Sequence, residues 1–151
     1  MKKTLKTISL LFIMVLLLSS PLIAKAESWQ SVRANEAMEW FWDTDSVSYG
    51  IVDEQTSDEN IIYVNVKNAY SAAGLADVVK QWGDKYQDLS YVISRFALNR
   101  ADRTFAIIES YCFNKNEEVI DGFKAEGEVK LLPCPPDSFL SALVDDVISK
   151  F

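Results

Sequence analysis

A change of period in the middle of the chain limits its fold more than any other feature. The run Ile61-Ile62-Tyr63-Val64-Asn65-Val66-Lys67 is dense in β-branched and aromatic residues and predicts a strand. Beyond it, Leu75, Val78, Val79, Trp82 and Tyr86 recur at steps of three and four, with Asp77, Lys80, Asp84 and Lys85 opposite. That spacing lays one apolar face along a helix, which Ser71 or Gly74 would open. The strand period then returns in Tyr91 to Leu98 and Thr104 to Phe113, joined by the polar turn Asn99 to Arg103. A chain that alternates in this way must pair its strands locally and lay the helix over them.

The flanking segments extend the pattern. Trp29 to Arg33 reads as a short strand, and Met38 to Asp43 as another, with Met38, Trp40 and Trp42 on one face and Glu39 and Phe41 on the other. Asp43 to Ser46 is turn-prone, since Asp and Ser side chains bond nearby backbone, and Asp53 to Asn60 reads as an acidic surface loop. Asn114 to Glu117 turns the chain into Val119-Ile120, and Glu128 to Leu132 reads as a last short strand. Pro135-Pro136-Asp137-Ser138 then starts a terminal helix whose wide apolar face is Phe139, Leu140, Leu143, Val144, Val147, Ile148 and Phe151. The predicted class is α+β: a single antiparallel β-sheet, a meander, with two packed α-helices.

The first 26 residues stand apart. Lys2, Lys3 and Lys6 precede an apolar run from Ile8 to Leu18, and Ala24-Lys25-Ala26 places small residues where signal peptidase cuts. The run falls short of the ~20 apolar residues that span a bilayer. Residues 1–26 are therefore expected to be a signal peptide cleaved after Ala26, and residues 27–151 to be a single domain that is exported to the periplasm, the cell surface or the medium. No cysteine for lipid attachment stands at the cleavage point, and no second long apolar stretch follows, so no stable membrane span is expected after cleavage.

Removing the leader takes four lysines and no acids, which leaves 11 basic against 22 acidic residues, a net charge of −11. That balance speaks against nucleic acid, whose counterions must be displaced by basic groups, and against anionic membrane surfaces. Its simplest role is solubility. The two cysteines, Cys112 and Cys134, both lie beyond the leader. An isolated pair in an oxidising compartment is expected to form one disulfide, worth roughly 3 kcal/mol by loop closure. Two free buried thiols are the alternative. The spacing is far from Cys-x-x-Cys, which argues against redox catalysis.

Taken in order, Trp42-Asp43-Thr44-Asp45-Ser46-Val47, then Ile61-Tyr63-Val64-Val66-Lys67, then Tyr111-Cys112-Phe113-Asn114 and Pro136-Asp137-Ser138 before the closing helix resemble the surface-adhesin protein E family of bacterial exported domains. The succession covers most of residues 27–151. The resemblance implies a small sheet-and-helix domain at the cell envelope that contacts other proteins. The chain departs from that adhesin in lacking the lipid-attachment cysteine, so the fold carries over more readily than the activity, and no binding residue carries over.

No constellation in the sequence carries enzyme chemistry. Histidine is absent, which removes Ser-His-Asp and Cys-His nucleophiles and every His-based zinc site. Asp43 with Asp45, and Asp53-Glu54 with Asp58-Glu59, match no calcium-loop spacing and lack its glycine. Glu109, inside a predicted strand, is the one carboxylate in an unusual setting; it is expected to point to solvent or to pair with Arg95 across the hairpin. No catalytic, metal or cofactor residue is assigned. The candidate binding surface is Trp40, Phe41 and Trp42, because tryptophan is enriched at interface hot spots and alternation puts Phe41 opposite the other two. The chain thus reads as an exported, non-enzymatic cell-envelope protein that binds another protein, with a homodimer through a sheet edge as one form of that contact. The alternative is a soluble protein that binds a small ligand in a pocket between sheet and helix.

Overall fold

A computed structural model describes residues 28–51 and 57–151. The expected signal peptide, Asp53 and Glu54 lie outside the described residues. The described chain forms one antiparallel sheet of eight strands with two helices, an α+β fold that is mostly sheet.

Three long strands make the centre: β4 (Ser57–Tyr70), β5 (Leu89–Asn99) and β6 (Thr104–Asn114). Each outer side of this trio is shared by two shorter strands. Along β4, β2 (Met38–Asp43) pairs with the later half and β3 (Ser48–Ile51) with the earlier half. Along β6, β7 (Val119–Lys124) pairs from Glu109 to Phe113, and β8 (Leu132–Pro133) pairs at Thr104 and Phe105. β1 (Trp29–Ala34) closes the β2 side, so the path runs β1-β2-β4-β5-β6-β7 with β3 and β8 filling the remaining edges.

The meander was legible; β3 was not, and β4 begins at Ser57, inside the stretch read as a loop. The start of β4 is hidden because Ser57 to Asn60 contains no apolar residue and so no alternation to reveal a strand. The last strand is also shorter than Glu128 to Leu132, since only Leu132 and Pro133 reach β6.

Strand alternation divides the sheet into two unlike faces. Ile62, Val64 and Val66 of β4 are fully buried and meet Leu98, Phe96 and Ser94 of β5 in register. Trp42 of β2, opposite Val66, joins them. The terminal helix α2 (Phe139–Ile148) supplies Leu143, Val144 and Val147 to the same cluster, and its half-buried Phe139, Leu140 and Ile148 pack around it. Its start is fixed by Ser138, whose hydroxyl accepts from the Ser141 amide. Arg103 in the β5–β6 turn holds Asp145 at 2.7 Å, and Arg100 donates to the Phe151 carbonyl, so α2 is tied to the turn beneath it.

The first helix, α1 (Ala72–Trp82), starts where the sequence indicated. Ser71 caps it by accepting from the Gly74 amide. Gly74 is required by close approach: a Cβ there would stand 2.0 Å from the Ala37 carbonyl oxygen. Leu75, Val78 and Val79 are half-buried, and Trp82 is 62 % exposed. Tyr86 belongs to a separate 3-10 turn, Asp84–Tyr86, in which Tyr86 Oη donates to Asp121 of β7 at 2.5 Å and Lys85 joins the same carboxylate at 2.7 Å.

The cysteines are not bonded to each other, which corrects the disulfide expected between Cys112 and Cys134. The topology explains it. The Cys134 amide bonds to the Arg103 carbonyl at the start of β6, whereas Cys112 lies nine residues further along that strand, roughly 30 Å away at the rise of an extended chain. A disulfide needs Cα atoms within about 7 Å. Both residues are half-buried, and desolvation pushes both thiols above their ordinary value, so they stay protonated and weakly reactive.

Candidate functional site: the open face of the sheet

The face turned away from α2 carries Ile61, Tyr63, Asn65 and Lys67 from β4 with Asn99, Ala97, Arg95 and Ile93 opposite them on β5. Two clusters stand on it. In the first, Lys67 lies over three rings, with Nζ 4.4 Å from the Trp29 centroid, 5.4 Å from Phe41 and 6.0 Å from Tyr91. Tyr91 in turn stacks on Phe113 across β5 and β6, centroids 5.0 Å apart. This half of the face is therefore an aromatic platform already holding one cation.

The second cluster lies toward the other end. There the crossover from β7 to β8 passes over the sheet and encloses a cleft of about 580 Å³. Tyr63, Arg95 and Ala97 form its floor; Ile108, Glu109 and Lys124 one side; Val129 and Leu131 the crossover side. Gly127, with φ of 78°, turns the crossover in the left-handed region that favours glycine.

A β-bulge aims the charged groups. Asn99 pairs with Thr104, and with regular pairing Arg95 would meet Ile108; the irregularity between Arg95 and Phe96 brings Glu109 opposite Arg95 instead. Ile108 and Glu109, neighbours that a regular strand would send to opposite faces, then both line the cleft. The expected cross-strand position of Glu109 opposite Arg95 is observed, but its ion pair is with Lys124, at 3.7 Å. Glu109 is thus not isolated: two cationic side chains share its cleft.

Arg95 is held from the far side. Nη1 donates to the Ser46 carbonyl at 2.8 Å and to Asn65 Oδ1 at 3.1 Å, and Nη2 donates to Ser48 Oγ at 2.9 Å. Its guanidinium lies 5.7 Å from the Tyr63 ring centroid. Burial pushes its pKa down, and Glu109, Tyr63 and Asp43 pull the other way; a guanidinium stays charged under such a shift.

The three aromatic residues singled out in the sequence separate. Trp42 is fully buried, edge-on to Phe151 at 6.3 Å, and Trp40 stacks on Phe139 of α2 with centroids 3.5 Å apart. Phe41 alone is on the open face, under Lys67. The acids do not converge. Asp43 is spent on accepting from the Asp45 amide at 3.0 Å, which caps a 3-10 turn, and no group of three potential metal ligands occurs among the described residues. Among the described residues no helix is long and apolar enough to cross a membrane.

Glu109 and Arg95 were both detectable as charged residues on adjoining strands of one hairpin, but their direct opposition depends on the bulge, which the sequence does not announce. Lys124 and the crossover were not, because residues 125–131 have no period and their value lies in where they pass. Comparisons of the chain with protein-family models, with curated proteins and with solved structures return no match.

Proposed function

We propose that this chain is an exported, non-enzymatic binding domain of the cell envelope that recognises another protein through the open face of its sheet. The observation that carries this reading is the asymmetry of the two faces. The core of β4 and β5 lies against α2, whereas Trp29, Phe41, Tyr91 and Phe113 are only half-buried on the opposite face. Aromatic rings with a charge among them are the composition of interface hot spots. The likeness of the sequence blocks to surface-adhesin protein E domains agrees with this reading, as does the export expected from residues 1–26.

Within this reading both helices serve as a backing layer, α1 extending the cover that α2 begins. A second copy would pair along β7, where Val119 is 58 % and Phe123 52 % exposed. The opposite edge, β1, is interrupted between Ser31 and Arg33 and carries the charged Arg33, which discourages pairing.

Two experiments test the proposal. Terminal sequencing of the mature protein from fractionated cells is expected to start at Glu27 in the envelope or medium; an uncut chain in the cytoplasm overturns export. Phe41→Asp, which adds charge to the platform, is expected to abolish saturable binding to an envelope or extracellular protein while leaving the melting temperature within a few degrees. Unchanged binding overturns the open-face assignment.

The second reading, a small-ligand protein, is favoured by the cleft, which lies between the open face and the β7–β8 crossover and not between sheet and helix as the sequence suggested. Its volume lies within the roughly 300–1,000 Å³ of small-molecule sites.

A further inference from the structure

The cleft concentrates positive charge in an acidic protein. The chain has 15 basic and 22 acidic residues, yet Arg95 and Lys124 line this one site with a single carboxylate, Glu109. The guanidinium has five N–H donors. Three are given to Ser46, Asn65 and Ser48, which fix its plane and leave the others for a ligand. No ion pair joins Arg95 to Glu109 among the described residues, although they are register partners. Glu109 instead meets Lys124 at 3.7 Å, and the Lys124 side chain is 74 % exposed, free to swing toward an incoming anion. Beside Tyr63, the cleft presents the apolar side chains of Ile61, Ile108, Val129 and Leu131.

We propose that this cleft binds a small amphipathic carboxylate, with its head between Arg95 and Lys124 and its apolar body against Ile108, Val129 and Leu131. The inference rests on the small-ligand reading of the cleft and gives it a ligand class. Two cations against one carboxylate select an anion. The apolar walls reward a hydrocarbon body by roughly 25 cal/mol per Å² removed from water. Glu109 holds Lys124 near the site in the absence of ligand and disfavours multiply charged anions.

The test is calorimetric titration of residues 27–151 with octanoate, octylammonium and acetate, repeated for Lys124→Glu and Val129→Asp. Octanoate is expected to bind saturably and acetate not to bind. Lys124→Glu is expected to weaken octanoate at least ten-fold, and Val129→Asp to remove it. Melting temperatures of both variants are expected to match the parent, since both side chains belong to the cleft rim rather than the core. Octylammonium binding as tightly as octanoate would overturn the carboxylate assignment and leave the small-ligand reading standing. Octanoate binding that neither variant weakens would place it elsewhere and overturn the proposal. Absence of binding by every probe would overturn the proposal and the small-ligand reading together, leaving the protein-binding face untouched.

Discussion

Asp121 shows what one carboxylate can do at a sheet edge. It accepts from Lys85 and Tyr86 of the 3-10 turn and from the Gly122 amide, and these bonds hold its pKa down to about 2 from 3.8. A depressed carboxylate contributes stability that is complete above its unfolded pKa and is lost as pH falls through its folded one. Melting temperature should therefore fall between about pH 4 and pH 2, and Asp121→Asn should flatten that part of the profile while lowering the plateau above it. An unchanged profile would mean that the three bonds contribute nothing in solution, the common fate of exposed pairs. The cysteines make a second test at this scale. A loop-closing disulfide is worth about 3 kcal/mol, so the double variant Cys112→Ser, Cys134→Ser in an oxidising buffer would lose that much if the bridge existed. The separation along β6 predicts a small loss from the half-buried hydroxyls, equal with and without reductant. A stability that depends on reductant in the parent alone would contradict the fold. The pairing was misread because sequence proximity to the terminal helix and to the meander says nothing about which end of a strand each residue occupies.

At the scale of elements, α2 carries the core and α1 does not. Leu143 is fully buried among Trp42, Val64 and Phe96, so Leu143→Ala should cost about 2–5 kcal/mol in denaturant unfolding. Ser138→Ala removes only the cap and should cost about 1 kcal/mol. A smaller loss at Leu143 than at Ser138 would mean that the helix is held by its ends and not by its face. Both roles were legible in the sequence: a wide apolar stripe after Pro-Pro-Asp-Ser is a local signal, and local signals survive into the fold. The same holds for Ile61–Lys67, for the β5–β6 hairpin and for the Ser71 cap. What stayed hidden was non-local. β3 pairs with the acidic start of β4 through backbone bonds, which side-chain type does not announce. The bulge that turns Glu109 toward Arg95 is a shift of one residue in a pairing between two strands, and no residue type in the hairpin announces it. The aromatic group was legible as a set, but its division into two core rings and one outward ring follows from which face α2 covers. Alternation predicted the division and could not choose the side.

For the whole molecule, the split edges predict how stability is distributed. β4, β5 and β6 are the only long strands among the described residues, and β5 is flanked by partners along nearly all its length. Every other strand is short: β2 and β3 share one side of the trio, β7 and β8 the other, and β1 pairs with β2 alone; β3 spans four residues and β8 two. Because opening a short outer strand breaks few bonds and exposes little core, it should cost much less than opening the centre. Native-state hydrogen exchange should therefore rank the amides. Amides from Ile62 to Val66 and from Ser94 to Leu98, segments whose Ile62, Val64, Val66, Phe96 and Leu98 side chains share the core cluster with α2, should exchange only by global unfolding, with protection that tracks denaturant stability. Amides of β7 and β8 should exchange by local opening at free energies well below that limit. This arrangement joins stability to the binding readings, since the Glu109 and Lys124 side of the cleft rests on β6 and β7 while Arg95 stands on the rigid centre. A ligand that bridges Arg95 and Lys124 would couple the two, so octanoate should slow exchange in β7 and the crossover more than in β4 and β5. Uniform slowing across the sheet would show that binding stabilises only the global fold. Slowing confined to α2 would place the ligand on the opposite face.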